Sequence, residues 1–71
     1  DMKRRYIVLQ VTVDVDWNPD VSVLAHNKYL GVHWVSVKDE HKEDIIYFDT
    51  EEEAKIEAKH RPGAVVQATW R

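Results

Sequence analysis

Asn18-Pro19-Asp20-Val21-Ser22-Val23-Leu24-Ala25-His26-Asn27-Lys28-Tyr29-Leu30-Gly31 is the stretch whose conformation separates the possible folds. It opens with the chemistry of a helix start. Asn18 can cap with its side chain, Pro19 suits the first helical position where no amide hydrogen is needed, and Asp20 puts an acid in the first turn. Val21, Leu24, Ala25 and Tyr29 then recur at i, i+3, i+4 and i+8, on one helical face, and Gly31 can end the element. The β-branched Val21 and Val23 work against it, because a helix restricts their side chains. The spacing predicts a helix over residues 19–29, with a long loop as the alternative.

Before it lies residues 6–17, Tyr-Ile-Val-Leu-Gln-Val-Thr-Val-Asp-Val-Asp-Trp. Ile7, Leu9, Val11, Val13, Val15 and Trp17 alternate with Tyr6, Val8, Gln10, Thr12, Asp14 and Asp16, and only a β-strand puts such a set on one face. At roughly 3.3 Å per residue the strand would run about 40 Å, far beyond the usual length. The expected partner strands are too short to pair all of it, so it should bend near Asp14 or project beyond the sheet. The half from Ile7 to Val13 is expected to face the core, leaving Tyr6, Val8, Gln10 and Thr12 on the open face.

Residues 32–38 read as a second strand, 39–43 as a charged turn and 44–48 as a third strand, together a hairpin. Thr50 and Glu53 form a capping box, three glutamates occupy the first helical turn, and Glu51 stands i,i+4 from Lys55. Ala54 and Ala58 give this helix a narrow packing face. Pro62-Gly63 stops it, and residues 64–70 form a last strand. The order βαββαβ predicts a ferredoxin-like α+β fold, a four-stranded antiparallel sheet with two helices on one face and the first strand central. Without the first helix the expectation becomes βββαβ with a single helix.

Seventy-one residues form one small domain, residues 1–71, with a marginal core. Asp1 reads as a cloning scar ahead of a native start at Met2, which would make the natural protein a complete product of this size. The chain has no cysteine, so neither disulfides nor thiolate metal sites contribute. No apolar run is long enough to cross a membrane as a helix, and no signal-peptide core is present. The expectation is a soluble cytoplasmic protein without membrane association. A net charge of −3 speaks against broad nucleic-acid binding. A chain this short encloses a substrate poorly, so a regulator, inhibitor or subunit is expected rather than an enzyme.

Strands two and three are apolar on both faces, so an aromatic and β-branched patch should line the open sheet beside Tyr6, Val8 and Tyr47. Such a patch is normally covered by a partner, a second copy or a tail. Charge is expected to separate by pole. Arg71 should come near Lys3, Arg4 and Arg5, while Asp14, Asp16 and Asp20 should approach Glu43 and Asp44. A dipolar chain of this kind steers onto a charged partner. The partner-binding candidates are therefore Tyr6, Val8, Tyr47, Lys3, Arg4, Arg5 and Arg71. Asp14, Asp16 and Asp20 are oxygen donors of the type that holds Mg²⁺ or Ca²⁺, the basis of an alternative reading as a metal-dependent nuclease-like or nucleic-acid-binding domain. His26, His33, His41 and His60 lack metal-site spacing. No catalytic residue and no cofactor is implied, and Trp17, Trp34 and Trp70 are expected as core or interface anchors.

Ile45-Ile-Tyr-Phe-Asp-Thr-Glu-Glu-Glu-Ala54 resembles the third strand and following helix of RNA-recognition motifs, but the base-stacking positions fall on Glu43 and Ile45, neither of them aromatic. Over residues 34–71, Trp34-Val-Ser-Val, Glu40-His41, Ile46-Tyr47, Asp49-Thr50, Glu53-Ala54, Ala58 and Pro62 are similar to the small RNA-polymerase inhibitor proteins of short-tailed coliphages. That resemblance implies a compact sheet with one helix that binds the bacterial polymerase and blocks initiation, hence a phage protein of host takeover acting in the host cytoplasm. It implies two last-strand arginines at the contact. Arg71 matches the second and Thr69 occupies the place of the first. The expected function is thus a protein-binding inhibitor module whose partner is a host protein, with a homodimeric structural or regulatory subunit as a further alternative.

Overall fold

Antiparallel hairpins account for the first half of the chain. The computed structural model describes residues 2–39 and 44–71. In chain order the elements are β1 (Arg4–Val13), β2 (Pro19–Asn27), β3 (Gly31–Ser36), β4 (Asp44–Ile45), α1 (Glu51–Lys59) and β5 (Val65–Trp70). The described residues form a small α+β fold of five antiparallel strands and one helix. The main path of the sheet runs β3-β2-β1-β5, with β4 paired to β2 off that path.

The stretch expected as a helix over residues 19–29 is instead the strand β2, so the two-helix ferredoxin-like layout does not form. Val21, Val23 and Ala25 lie on one face and Asp20, Ser22, Leu24 and His26 on the other, a period-2 pattern hidden beneath the helical spacing. Two neighbours complete the ladder: Val23 sits opposite Leu9 of β1 and opposite Val35 of β3. Tertiary pairing of β-branched residues outweighs the local helix-start chemistry. Pro19 stands at the first residue of the strand, where a missing amide is tolerated. Asn27 accepts the amides of Tyr29 (2.7 Å) and Leu30 (3.3 Å) on Oδ1, and Gly31 adopts φ +71°. This three-residue hairpin with a left-handed closing residue is the local reason for glycine at position 31.

The single-helix alternative is nearer to the fold, with one strand more than expected. The anticipated hairpin between residues 32–38 and 44–48 is also absent. β3 pairs with β2, and β4 pairs with β2 as well, through Ala25 with Ile45 and His26 with Asp44. The charged turn expected at 39–43, including His41 and Glu43, lies outside the described residues apart from Asp39. β1 is internal to the sheet, as anticipated, and pairs with the last strand from Arg4 opposite Trp70 to Leu9 opposite Val65.

β1 and β2 pair only from Leu9 with Val23 outward to Val13 with Pro19. On the other side of that point the sheet forks. The segment after β4 fills the fork: Ile46 N donates to Leu24 O at 3.1 Å, and Tyr6 and Phe48 exchange a reciprocal pair of backbone hydrogen bonds. The wedge delivers Ile46 and Phe48 into the core.

Val8, Leu24 and Ala54 are fully buried and form the centre of that core, with Tyr6, Trp34, Ile46, Phe48, Ala58, Ala64 and Val66 packed around them. The helix-covered face of β1 is therefore the even-numbered one. Tyr6 and Val8 are not on the open face as expected. Of the odd positions expected in the core, Val11 and Val13 are exposed, while Ile7 and Leu9 are half-buried, Leu9 beside the buried Val23. The reason is the helix's short reach. α1 spans nine residues and covers only the first half of β1, so Tyr6 and Val8 lie beneath it while Gln10 and Thr12 lie beyond it.

α1 forms as its sequence dictates. Thr50 is the N-cap at φ −125°, ψ 151°, and its hydroxyl accepts the Glu53 amide at 3.2 Å. Lys55 meets Glu51 at 2.7 Å and Arg61 meets Glu57 at 2.9 Å. Ala54 is the one helical residue that is fully buried, because its lack of bulk lets the helix axis approach Val8 and Leu24.

Candidate protein-binding face

The odd-numbered face of the sheet is built in lateral rows. Val65, Leu9, Val23 and Val35 stand side by side across four strands, the next row is Val11 beside Val21, and then comes Val13 beside Pro19. Val37 joins the second row, its amide donating to Val21 O at 2.9 Å. β5 stops at the level of Leu9, so β1 and β2 continue past it as an arm that is apolar on one side. On the other side the same arm carries Gln10, Thr12, Asp20 and Ser22. Val11 is 61% exposed and Val13 55% exposed. A cleft of about 70 Å³ opens among Val23, Val35, Val37 and Ile45 on this face.

At the end of the arm the strand expected to reach Trp17 stops at Val13, and residues 14–18 form the turn. Asp14 organises it. Its Oδ1 accepts the amides of Asp16 and Asn18, both at 2.9 Å, its carbonyl accepts the Trp17 amide at 3.0 Å, and its amide donates to Asn18 O at 2.9 Å. Trp17 is held at φ +64°, a left-handed conformation that a bulky side chain rarely adopts. Val15 is 94% exposed and Trp17 85% exposed. The turn therefore presents two apolar side chains to solvent, one of them on a strained backbone.

The partner-binding residues expected from sequence are distributed differently. Val8 is fully buried and Tyr6 half-buried under α1, so neither is an open-face contact. Tyr47 lies between Ile46 and Phe48, which both enter the core, and its ring faces the Arg71 guanidinium at 5.0 Å. Lys3, Arg4, Arg5 and Arg71 do come together, tied by the reciprocal backbone bonds of Lys3 with Arg71 (2.7 and 2.9 Å). Within this pole Arg5 is held by Asp49 at 3.2 Å, and Arg4 lies 5.5 Å from the Tyr6 ring centroid.

The acidic side of the charge separation is smaller than expected. Asp14, Asp16 and Asp20 are near the arm's end, but Asp44 stands opposite His26, six positions from Asp20 along β2, on the order of 20 Å. Asp44 thus belongs toward the basic end, and Glu43 lies outside the described residues. Asp14 and Asp16 do not share a strand face, since both sit in the turn. Asp14 is occupied by turn amides, and Asp20 Oδ1 accepts the Ser36 hydroxyl at 3.0 Å. Among the described residues no group of three His, Asp or Glu side chains has metal-site geometry.

Of the three tryptophans, Trp34 packs on the core while Trp17 and Trp70 are exposed. Sequence reasoning named Trp17 without seeing its backbone. The Asp14-x-Asp16-x-Asn18-Pro19 run carried the signal for a turn, because an Asp side chain followed by Asn-Pro favours chain reversal. No helix of the described residues is long and apolar enough to cross a membrane. Comparison of the chain with protein-family models, with curated proteins and with solved structures found no match.

Proposed function

We propose that the chain is a small non-enzymatic protein-binding module. Its contact surface is the valine side of the arm, centred on Val11 and Val13, with Val15 and Trp17 as the anchors at its tip. One observation carries this reading. The even positions of β1 turn from apolar to polar, Val8 to Gln10, where the helix ends its cover, while the odd positions stay apolar to Val13 and beyond. A sheet face that stays apolar where no described helix covers it is suited to contact with another molecule. Exposed tryptophan is the side chain most enriched at the energetic centres of such contacts.

The basic pole of Lys3, Arg4 and Arg71 supplies the charge that orients an acidic partner during approach. The resemblance of residues 34–71 to the phage polymerase inhibitors makes bacterial RNA polymerase the first partner to test, and a second copy of the chain the next. Purified polymerase is mixed with the labelled chain and sedimented, beside the Val13→Asp and Trp17→Ser variants. Co-sedimentation lost in both variants supports the reading with that partner. A species of twice 8.4 kDa, dispersed by the same variants, supports it with the chain itself as partner. Association that both variants leave intact overturns the assigned face, and a wild-type chain that stays monomeric and binds no polymerase overturns the reading.

A further inference from the structure

β5 is an edge strand, and its unpaired backbone groups can be assigned. The reciprocal bonds between Lys3 and Arg71 mark a hydrogen-bonded pair. By the alternation of an antiparallel ladder, Arg5 with Thr69, Ile7 with Gln67 and Leu9 with Val65 are also hydrogen-bonded pairs. The N–H and C=O groups of Val66, Ala68 and Trp70 therefore point away from β1, to the outside. One of these is satisfied in a makeshift way: the Gln67 side-chain amide donates to Ala68 O at 3.4 Å. The strand Val-Val-Gln-Ala-Thr-Trp carries no charge and no proline, so it lacks the usual devices that stop an edge from pairing.

Alongside this edge runs a groove of about 460 Å³ between α1 and β5. Ala58, Ala64 and Val66 line its apolar floor, and Lys55 and Lys59, one helical turn apart, stand on its rim. Glu51 pairs with Lys55, and among the described residues no carboxylate forms an ion pair with Lys59. We propose that this groove receives an extended acidic segment of a partner protein, which adds to the sheet as a strand beside β5. Its backbone takes the outward groups of Val66, Ala68 and Trp70, its alternate apolar side chains enter between Ala58 and Val66, and a carboxylate meets Lys59. Strand addition of this kind derives affinity from the main chain and selectivity from the flanking helix. The site is separate from the valine side of the arm.

The test pans a display library of random octapeptides against the chain, then measures the enriched peptides by fluorescence anisotropy and amide hydrogen exchange. Enriched peptides should contain Asp or Glu, and their binding should slow exchange at Val66, Ala68 and Trp70. Lys59→Glu should weaken them at least tenfold. Ala68→Pro, which removes an outward donor while leaving the ladder to β1 intact, should abolish binding. Trp17→Ser and Val13→Asp should bind them as the parent does, which separates this site from the arm. No enrichment, enrichment indifferent to both groove variants, or slowed exchange confined to the arm would overturn the proposal. Self-association abolished by Ala68→Pro without any peptide would replace the peptide by a second copy and overturn it equally.

Discussion

Tyr6 and Phe48 exchange two backbone hydrogen bonds, Tyr6 N to Phe48 O at 2.9 Å and Phe48 N to Tyr6 O at 2.8 Å, across the fork where β1 and β2 separate. That single bridge lets a segment with only a two-residue strand close the sheet and fill the core. Leu24 is the apolar counterpart of the bridge: its carbonyl receives Ile46 N, and its side chain is fully buried. Leu24→Ala should cost about 2–5 kcal/mol, as a large-to-small change in a closed site. A domain of this size has little more than that in reserve, so urea denaturation should show a variant that is partly unfolded in buffer.

The strained tip gives the most discriminating prediction. Trp17 at φ +64° costs about 1–2 kcal/mol relative to a relaxed backbone. Asn tolerates that conformation, so Trp17→Asn should raise the urea midpoint, with a gain of up to about 1 kcal/mol. The same change should weaken partner binding. Opposite signs in the two measurements mark a residue kept for contact. A variant less stable than the parent would show that the tryptophan ring has a packing role instead.

Asp14 and Asp16, close in sequence, should behave differently. Asp14→Ala removes the acceptor of two turn amides and should destabilise by about 1–2 kcal/mol. Asp16→Ala should stay within about 0.5 kcal/mol, as an exposed turn substitution. Thermal unfolding of the two variants checks this. Equal losses relieved by millimolar Mg²⁺ would instead favour the metal-binding reading.

Gly31 is a case of conformation without crowding. At φ +71°, an added methyl group meets nothing within 4 Å. Gly31→Ala should therefore cost about 1 kcal/mol from backbone strain alone, and Gly31→Asn less, since Asn tolerates the left-handed region. Equal losses in both would point to a side-chain clash.

The pair on α1 predicts a pH response. A hydrogen bond from Lys55, and then its charge, hold the Glu51 carboxyl below its ordinary value of 4.5. The converse contacts raise the Lys55 amine above its ordinary value of 10.5. The carboxyl's contribution is present above pH 4.5 and lost as pH falls through the folded-state value. The amine's contribution is present below pH 10.5 and lost as pH rises through the raised value. Helicity followed by circular dichroism should thus be level between these limits and sag beyond both. Glu51→Gln should remove the part due to the pair, and so should molar salt, because both groups are exposed.

Parts of this molecule were legible before any coordinates. Thr50, Glu53 and the alanines placed α1 because capping and close packing are local properties of contiguous residues. The strand character of residues 6–13 and the meeting of Lys3 with Arg71 followed from periodicity and chain order. The stretch from Asn18 to Gly31 misled because its cap chemistry and its i, i+3, i+4 spacing are as compatible with a turn and a period-2 strand. What decided between them was pairing with Leu9 and Val35, which no local window contains. The faces of β1 mislead for a related reason. The longest apolar alternation reads as the core side, yet it marks the side that α1 does not cover. Trp17 carried no backbone signal at all, since a left-handed tryptophan follows from Asp14 and Asn18 gripping the turn around it.

The late return of β5 has a consequence for how the chain acquires its structure. β1, β2 and β3 are joined by short turns and make contacts between near neighbours in sequence, whereas residues 4–9 find residues 65–70 only after almost the whole chain has been laid down. Local hairpins form in microseconds, while closure across such a loop is entropically slow. Until β5 and α1 dock, the flank of Tyr6 and Val8 is unpaired and uncovered, and apolar surface is open to other chains. Refolding at high concentration should therefore lose more protein to aggregation than refolding at high dilution, and substitutions that hasten α1 and β5 should raise the yield without altering the native state.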